Sequence, residues 1–294
     1  MILEMFRKVK ALLALTRPPN GILMFIAVLA GVTLSNRQAI TPIQAILSFM
    51  TAYGLNGSIM GFNDYIDRDI DRVNAPWRPI PSGAVSCFEA TLFSSILGSI
   101  GMISAILTSW GCLVVAAIAY LLAFTYNLFL KKMGLIGNMA VSGVVVAPFI
   151  YGAVLSDGYV STRLIFFAIP VYLSVLGREI IKGISDVEGD ALRGIRSIAR
   201  TRGERFAGIL GGALYIAAVS VSPIPYLLNL VSWPYIVIVA LADIGFIYSA
   251  ISIVRNPSRT NALRVKKITL LWMLIALIAF ITGSITLVNI VLER

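Results

Sequence analysis

Eight of the chain's 14 acidic residues fall in two short stretches. The first is Asn63-Asp64-Tyr65-Ile66-Asp67-Arg68-Asp69-Ile70-Asp71. The second is Glu179-Ile180-Ile181-Lys182-Gly183-Ile184-Ser185-Asp186-Val187-Glu188-Gly189-Asp190. On helices turning about 100° per residue, Asp64, Asp67 and Asp71 share one face within about 60°, with Asn63 at its edge and Asp69 pointing away. In the second stretch Glu179, Lys182, Asp186 and Asp190 share a stripe, and Glu188 faces the opposite side. Like charges stacked at helical spacing repel by a few tenths of a kcal/mol per pair even in water, and by more beside a bilayer. Lys182 is one cation against the six carboxylates of the two faces, so the arrangement calls for another. Oxygen donors without His or Cys suit a hard ion such as Mg²⁺, which binds through a few carboxylates, waters and the phosphates of a substrate. The bland alternative is a pair of solvated polar helix ends, neutralised by Arg68, Arg72 and Arg193.

The rest of the composition narrows the chemistry. The chain contains no histidine, so any general base or acid must be a carboxylate, lysine or tyrosine. Its two cysteines, Cys87 and Cys112, are not in CxxC spacing, which argues against a disulfide framework or a zinc site. Only 13% of the 294 residues are charged and 58% are hydrophobic, against about a quarter charged in soluble domains. Met1 to Arg17 carries Arg7, Lys8 and Lys10 but no small-residue cleavage site, so a removable signal is not expected.

The elements that must position the acids are membrane helices. Nine apolar runs approach the about 17–25 residues needed to cross a bilayer: 19–36, 42–62, 87–107, 110–129, 136–155, 163–182, 206–228, 234–254 and 268–289. They do not alternate, which excludes a barrel. The expectation is one all-α domain over residues 1–294, a polytopic membrane protein whose nine transmembrane helices form a bundle around a central cavity. The acidic stretches follow the second and sixth runs, hinting at an internal repeat of two four-helix units plus a ninth helix.

Charge sets the orientation. Of the 24 Lys and Arg, all but Arg37, Arg163 and Arg294 fall on one side of the alternation, with both acidic stretches. The positive-inside rule puts that side and the N-terminus in the cytoplasm and the C-terminus outside the cell membrane. The net charge of +10 is therefore read as topology and contact with membrane lipid, with no nucleic acid as partner. Asp243 lies alone inside the eighth run, with no partner evident. A transporter is the rival class, since spans, a repeat and acids are common to both; transporters, however, tend to place binding residues near the midplane.

The stretch Asn63-Asp64-x-x-Asp67-x-x-x-Asp71, followed by Asn74-Ala75-Pro76-Trp77-Arg78-Pro79-Ile80-Pro81-Ser82-Gly83, resembles the first signature of the UbiA superfamily of intramembrane prenyltransferases. Asp186-Val187-Glu188-Gly189-Asp190, with Gly194-x-x-Ser197 after it, resembles the second. The likeness extends over nearly the whole chain. Arg178-Glu179-Ile180-Ile181-Lys182 and the opening Arg17-Pro18-Pro19-Asn20 look most like the archaeal branch that builds ether lipid. Relatives often carry acids where this chain has Gly183 and Ser185, which leaves its second cluster thinner.

The resemblance implies an Mg²⁺-dependent transfer of a geranylgeranyl group from geranylgeranyl diphosphate to a lipid-soluble acceptor, geranylgeranylglyceryl phosphate. An aromatic quinone precursor or a chlorin is the alternative acceptor. It implies that Asp64, Asp67, Asp71, Asp186 and Asp190 are catalytic and, with Asn63, hold Mg²⁺. Arg78 and Lys182 would contact the diphosphate, as would Tyr126, Lys131 and Lys132, which resemble the family's tyrosine–lysine pair. Arg17 and Asn20 would meet the acceptor headgroup. Asn138 and Ser142 are further candidates for the cavity wall.

Overall fold

The computed structural model describes residues 2–35 and 40–292. It is helical throughout, with no strand among the described residues. In chain order the helices are α1 (Ile2–Thr16), α2 (Pro18–Thr33), α3 (Pro42–Ile66), α4 (Arg68–Asn74), α5 (Cys87–Thr108), α6 (Trp110–Leu128), α7 (Leu135–Asp157), α8 (Thr162–Ser185), α9 (Val187–Leu192), α10 (Ile198–Arg202), α11 (Glu204–Val221), α12 (Ile224–Leu227), α13 (Trp233–Arg255) and α14 (Arg259–Leu292); a 3₁₀ turn, Leu130–Met133, joins α6 to α7.

Local chemistry marks the starts. Thr41 and Ser86 each form a capping box, with Gln44 and Glu89, and Pro42 fills the first turn of α3, where its missing N–H costs nothing. The α1–α2 junction is different. Arg17 between them adopts a left-handed conformation (φ 48°), uncommon for a side chain of this size.

Seven helices are long and apolar enough to cross a membrane, and α1 with α2 makes an eighth if that pair, bent by 45°, is one span. The protein is thus a multi-pass membrane protein. The nine expected spans are reduced to seven or eight: the run 42–62 lies on α3, which is too polar to join the seven, and the run 206–228, one of the seven, is interrupted between α11 and α12. Helix α3 carries Asn56 and Asn63, which line an internal cavity rather than meet lipid. Arg37 and Arg294, two of the three orientation markers, lie outside the described residues.

The bundle closes through small residues, as membrane helices do. A Cβ on Gly31 would stand 2.2 Å from the Phe149 carbonyl oxygen, and one on Gly152 would stand 2.1 Å from that of Val28. Helices α2 and α7 therefore cross almost backbone to backbone. Elsewhere α8, α11, α13 and α14 enclose Tyr215, Ile180, Ile181, Ile184 and Ile253, all essentially inaccessible. Asp243 does have partners: Ser222 Oγ donates to it at 2.6 Å, and the Tyr235 hydroxyl donates to the Ser222 carbonyl at 2.6 Å.

Candidate active site

Both acidic stretches fold in the same way. The long helix stops at an aspartate and a short helix restarts beyond it, Asp67 between α3 and α4 and Asp186 between α8 and α9. The Asp67 amide donates to the Asn63 carbonyl at 2.9 Å, and the Asp186 amide to that of Lys182 at 3.2 Å. One turn on, the Asp71 amide reaches Asp67 at 2.9 Å and the Asp190 amide reaches Asp186 at 2.7 Å. The acids therefore remain near helical register across a real break, which a continuous helix would not have.

A cavity of about 520 Å³ opens between α2, α3, α6, α7 and α8. Its deeper wall is mainly apolar, with Met24, Val28, Leu55, Ile59, Val144 and Pro148. Its polar end holds Arg17, Asn20, Asn63, Asp67, Asp71, Arg78, Tyr126, Lys131 and Lys182 from the expected set. Tyr126 shares this wall with Asp67 of the first stretch and with Glu179 and Lys182 of the second, so the two stretches converge around it.

Ion pairs organise this end. Lys131 Nζ lies 2.5 Å from Asp67. Arg78 Nη1 lies 2.5 Å from Asp71 and 3.4 Å from Asp64. The turn after α4 holds Arg78 there, its amide bonded to the Ala75 carbonyl at 3.0 Å and its carbonyl to the Ser82 amide at 2.9 Å. Arg17 Nη2 lies 2.7 Å from Asp64. Asp64 itself is 3% exposed and is not on the cavity wall; it anchors the two arginines from behind. In the second stretch Glu179 is held by Arg178 at 2.8 Å and Lys182 at 2.9 Å. Asp186 accepts from Ser185 Oγ at 2.8 Å and lies 3.6 Å from Lys266 Nζ. Burial pushes the Asp190 carboxyl above its ordinary range, against the pull of the nearby Ser197, Lys182 and Arg193 and with the push of Asp186.

Lys132 stands apart. It borders a shallow cleft with Met133, Gly194 and Arg196, because adjacent residues of a tight turn diverge. Asn138 and Ser142 are not on the cavity wall either; Ser142 Oγ donates back to the Asn138 carbonyl at 2.8 Å. The wall also holds Asn56, Asn127, Glu179 and Arg193, which were not among the expected site residues. Asn127 had a signal in its place beside Tyr126 at the end of an apolar run; it accepts from Asn63 Nδ2 at 2.9 Å.

The donor chemistry fits Mg²⁺. Asn63 turns its amino group to Asn127 and keeps its amide oxygen as an acceptor, and Asp67 and Asp71 share its wall. No three acids or cysteines among the described residues stand close enough to form a ready-made cage.

Residues 24–278 match the model of the UbiA prenyltransferase family. A digeranylgeranylglyceryl phosphate synthase from Archaeoglobus fulgidus is 35% identical over 282 residues, covering 95% of this chain and 96% of that one. A solved structure of digeranylgeranylglyceryl phosphate synthase superposes with a TM-score of 0.80 at 31% identity, covering 95% of this chain and 99% of that one. A UbiA homolog from Archaeoglobus fulgidus, solved with GPP and Mg²⁺, shares the fold with a TM-score of 0.68 at 14% identity, covering 92% of this chain and 99% of that one. By its family pattern, its relatives and its fold, this chain belongs to the UbiA prenyltransferase family.

Proposed function

We propose that the protein transfers the geranylgeranyl group of geranylgeranyl diphosphate to geranylgeranylglyceryl phosphate, giving digeranylgeranylglyceryl phosphate for archaeal ether lipid. The observation that carries this reading is the cavity, with charge gathered at one end and apolar wall beyond it. A diphosphate belongs at the first and a prenyl tail along the second. The synthase from Archaeoglobus fulgidus, 35% identical end to end, supports the choice of acceptor.

In the reaction the allylic C–O bond breaks, the diphosphate leaves, and the allylic carbon bonds to the glyceryl hydroxyl oxygen, which loses its proton. Charge grows on the leaving group, so its stabilisation is the main task. Arg78, Lys131 and Lys182 meet that charge, held in place by Asp71, Asp67 and Glu179. Tyr126 borders the same volume. Mg²⁺, held by Asn63, Asp67, Asp71, Asp186 and Asp190, would add Lewis-acid charge to the diphosphate; the Archaeoglobus fulgidus homolog solved with GPP and Mg²⁺ is a fold-level parallel. The apolar wall keeps water from the allylic centre. With no histidine in the chain, the oxygen bases at the charged end are carboxylates and the diphosphate itself.

In the membrane we read nine spans as two four-helix units and a ninth helix, with α3 turning Ile43, Ile46, Phe49 and Met50 outward and Asn56 and Asn63 to the cavity. The charged end and the N-terminus then face the cytoplasm, as the basic loops require.

The test is incubation of the purified protein with radiolabelled geranylgeranyl diphosphate, Mg²⁺ and geranylgeranylglyceryl phosphate, with an EDTA control. An EDTA-sensitive, doubly prenylated product is expected. Product only with a quinone or chlorin precursor would overturn the acceptor, and no product with any acceptor would overturn the reaction.

A further inference from the structure

Five cations line the cavity: Arg17, Arg78, Lys131, Lys182 and Arg193. The first four each have a carboxylate within hydrogen-bond distance, namely Asp64, Asp71, Asp67 and Glu179. Arg193 differs. Among the described residues its Nε is buried and has no hydrogen-bond partner. Asp190 feels its charge, but no ion pair joins the two. A buried, unpaired guanidinium nitrogen is costly unless something arrives to meet it.

The backbone holds Arg193 at the charged end. It caps α9, and Gly194 follows with φ 65°. The Arg196 amide donates to the Lys132 carbonyl at 3.1 Å, tying this segment to the turn that carries Lys131. Gly134, with φ 59°, permits the approach: a Cβ there would stand 2.1 Å from the Arg196 carbonyl oxygen.

The reaction proposed above brings two separate anions into one cavity. The donor's diphosphate has Arg78, Lys131 and Lys182, and Arg17, expected with Asn20 to meet the acceptor headgroup, is tied to Asp64. The acceptor carries its own phosphomonoester, which needs a cation of its own. We propose that Arg193 is the specificity residue that binds the phosphomonoester of the lipid acceptor. Its planar fork suits phosphate oxygens. This rests on the proposed acceptor and adds the residue that selects it.

The test has a binding arm and a kinetic arm, both on the full chain in detergent or lipid. In EDTA, where the carboxylates have no metal, the parent protein is expected to bind geranylgeranylglyceryl phosphate more tightly than phosphate-free geranylgeranylglycerol. Arg193→Gln should weaken binding of the phosphorylated lipid by about ten- to a hundredfold, the scale of a hydrogen bond to a charged group. In turnover the acceptor KM should rise by a similar factor while the donor KM stays put. Arg193→Lys, which keeps the charge but not the fork, should fall between the two. A rise in donor KM instead, or equal binding of the phosphorylated lipid by parent and Arg193→Gln, would overturn the role. No turnover of this acceptor by the parent protein would overturn the proposed function itself.

Discussion

The two acidic junctions share a backbone and differ in what surrounds it. Counting from the break, Asn63, Asp64, Asp67, Asp71 and Arg78 correspond to Lys182, Gly183, Asp186, Asp190 and Ser197. Where the first junction buries Asp64 between Arg17 and Arg78, the second has Gly183, whose Cβ would meet Ser197 Cβ at 3.4 Å. An ion-paired cluster on one side is replaced by plain packing on the other. The acids at the break itself, Asp67 and Asp186, and those one turn beyond, Asp71 and Asp190, are kept in both. Asp64 pairs with its arginines inside the first junction. Of the acids common to both, Asp67 and Asp71 line the cavity while Asp186 and Asp190 stand off its wall; on the reading proposed above, these four would hold the metal.

The largest expected effect therefore falls on the shared acids. Removing Mg²⁺ with EDTA should abolish prenyl transfer. Asp67→Asn and Asp186→Asn should each reduce turnover by about a hundred- to a thousandfold, the scale of losing one preorganised electrostatic group, with little change in melting temperature for Asp186, whose side chain is 36% exposed. Steady-state rates with a melting curve decide it. A severe loss for Asp67→Asn beside an inert Asp186→Asn would mean the second junction takes no part.

Asp64 should behave differently, losing stability along with rate. Breaking a buried pair costs about 3–5 kcal/mol, and because Arg17 and Arg78 are about a third exposed the lower end is expected for Asp64→Asn. The converse experiment installs the missing acid. Gly183→Asp should destabilise by about 1–3 kcal/mol, the cost of a polar group buried without its partner, and Ser197→Arg in the same chain should recover part of it. A double-mutant cycle of melting temperatures reads the coupling. Additive effects would show that the junctions correspond in sequence but not in packing.

Much of this was legible before any coordinates. Charges inside an apolar sequence are expensive, so the places where they gather stand out, and both junctions, their helices and most of the charged end of the cavity were found that way. The partners were not legible. Nothing in the spacing of Asp64 says that Arg17, 47 residues earlier, is its counterion and that Asp64 is thereby withdrawn from the cavity wall. Lys131 and Lys132 are equal as sequence, and only the 3₁₀ turn sends one to Asp67 and leaves the other outside. The run 42–62 read as a span from its apolar residues, yet α3 is too polar to stand among the seven apolar helices, because its Asn56 and Asn63 serve the cavity.

A smaller effect should appear in the pH dependence. Burial raises the Asp190 carboxyl, and the form that holds metal is the carboxylate. Activity should therefore fall on the acid side at a higher pH than an ordinary aspartate would give. Mg²⁺ competes with the proton for the same oxygens, so rising Mg²⁺ should move that limb to lower pH. The measurement is kcat/KM against pH at several Mg²⁺ concentrations. A limb that ignores Mg²⁺ would assign it to another group.

The smallest effect belongs to Glu188, and it is the sharpest check on which acids of the second junction matter. Glu188 lies between Asp186 and Asp190 in sequence, yet its side chain is 78% exposed and pairs with Arg259 at 2.6 Å on the outside of the bundle. Exposed pairs of this kind contribute about 0–1 kcal/mol, because water screens them and two long side chains lose freedom. Glu188→Gln should therefore change turnover by less than about twofold and leave the Mg²⁺ dependence unaltered. That outcome would keep the second junction at two working acids, matching Asp67 and Asp71 in the first. A large loss would mean that α9 turns on binding substrate and brings a third carboxylate inward, so that the stretch left thin by Gly183 and Ser185 would regain from Glu188 the acid it lacks.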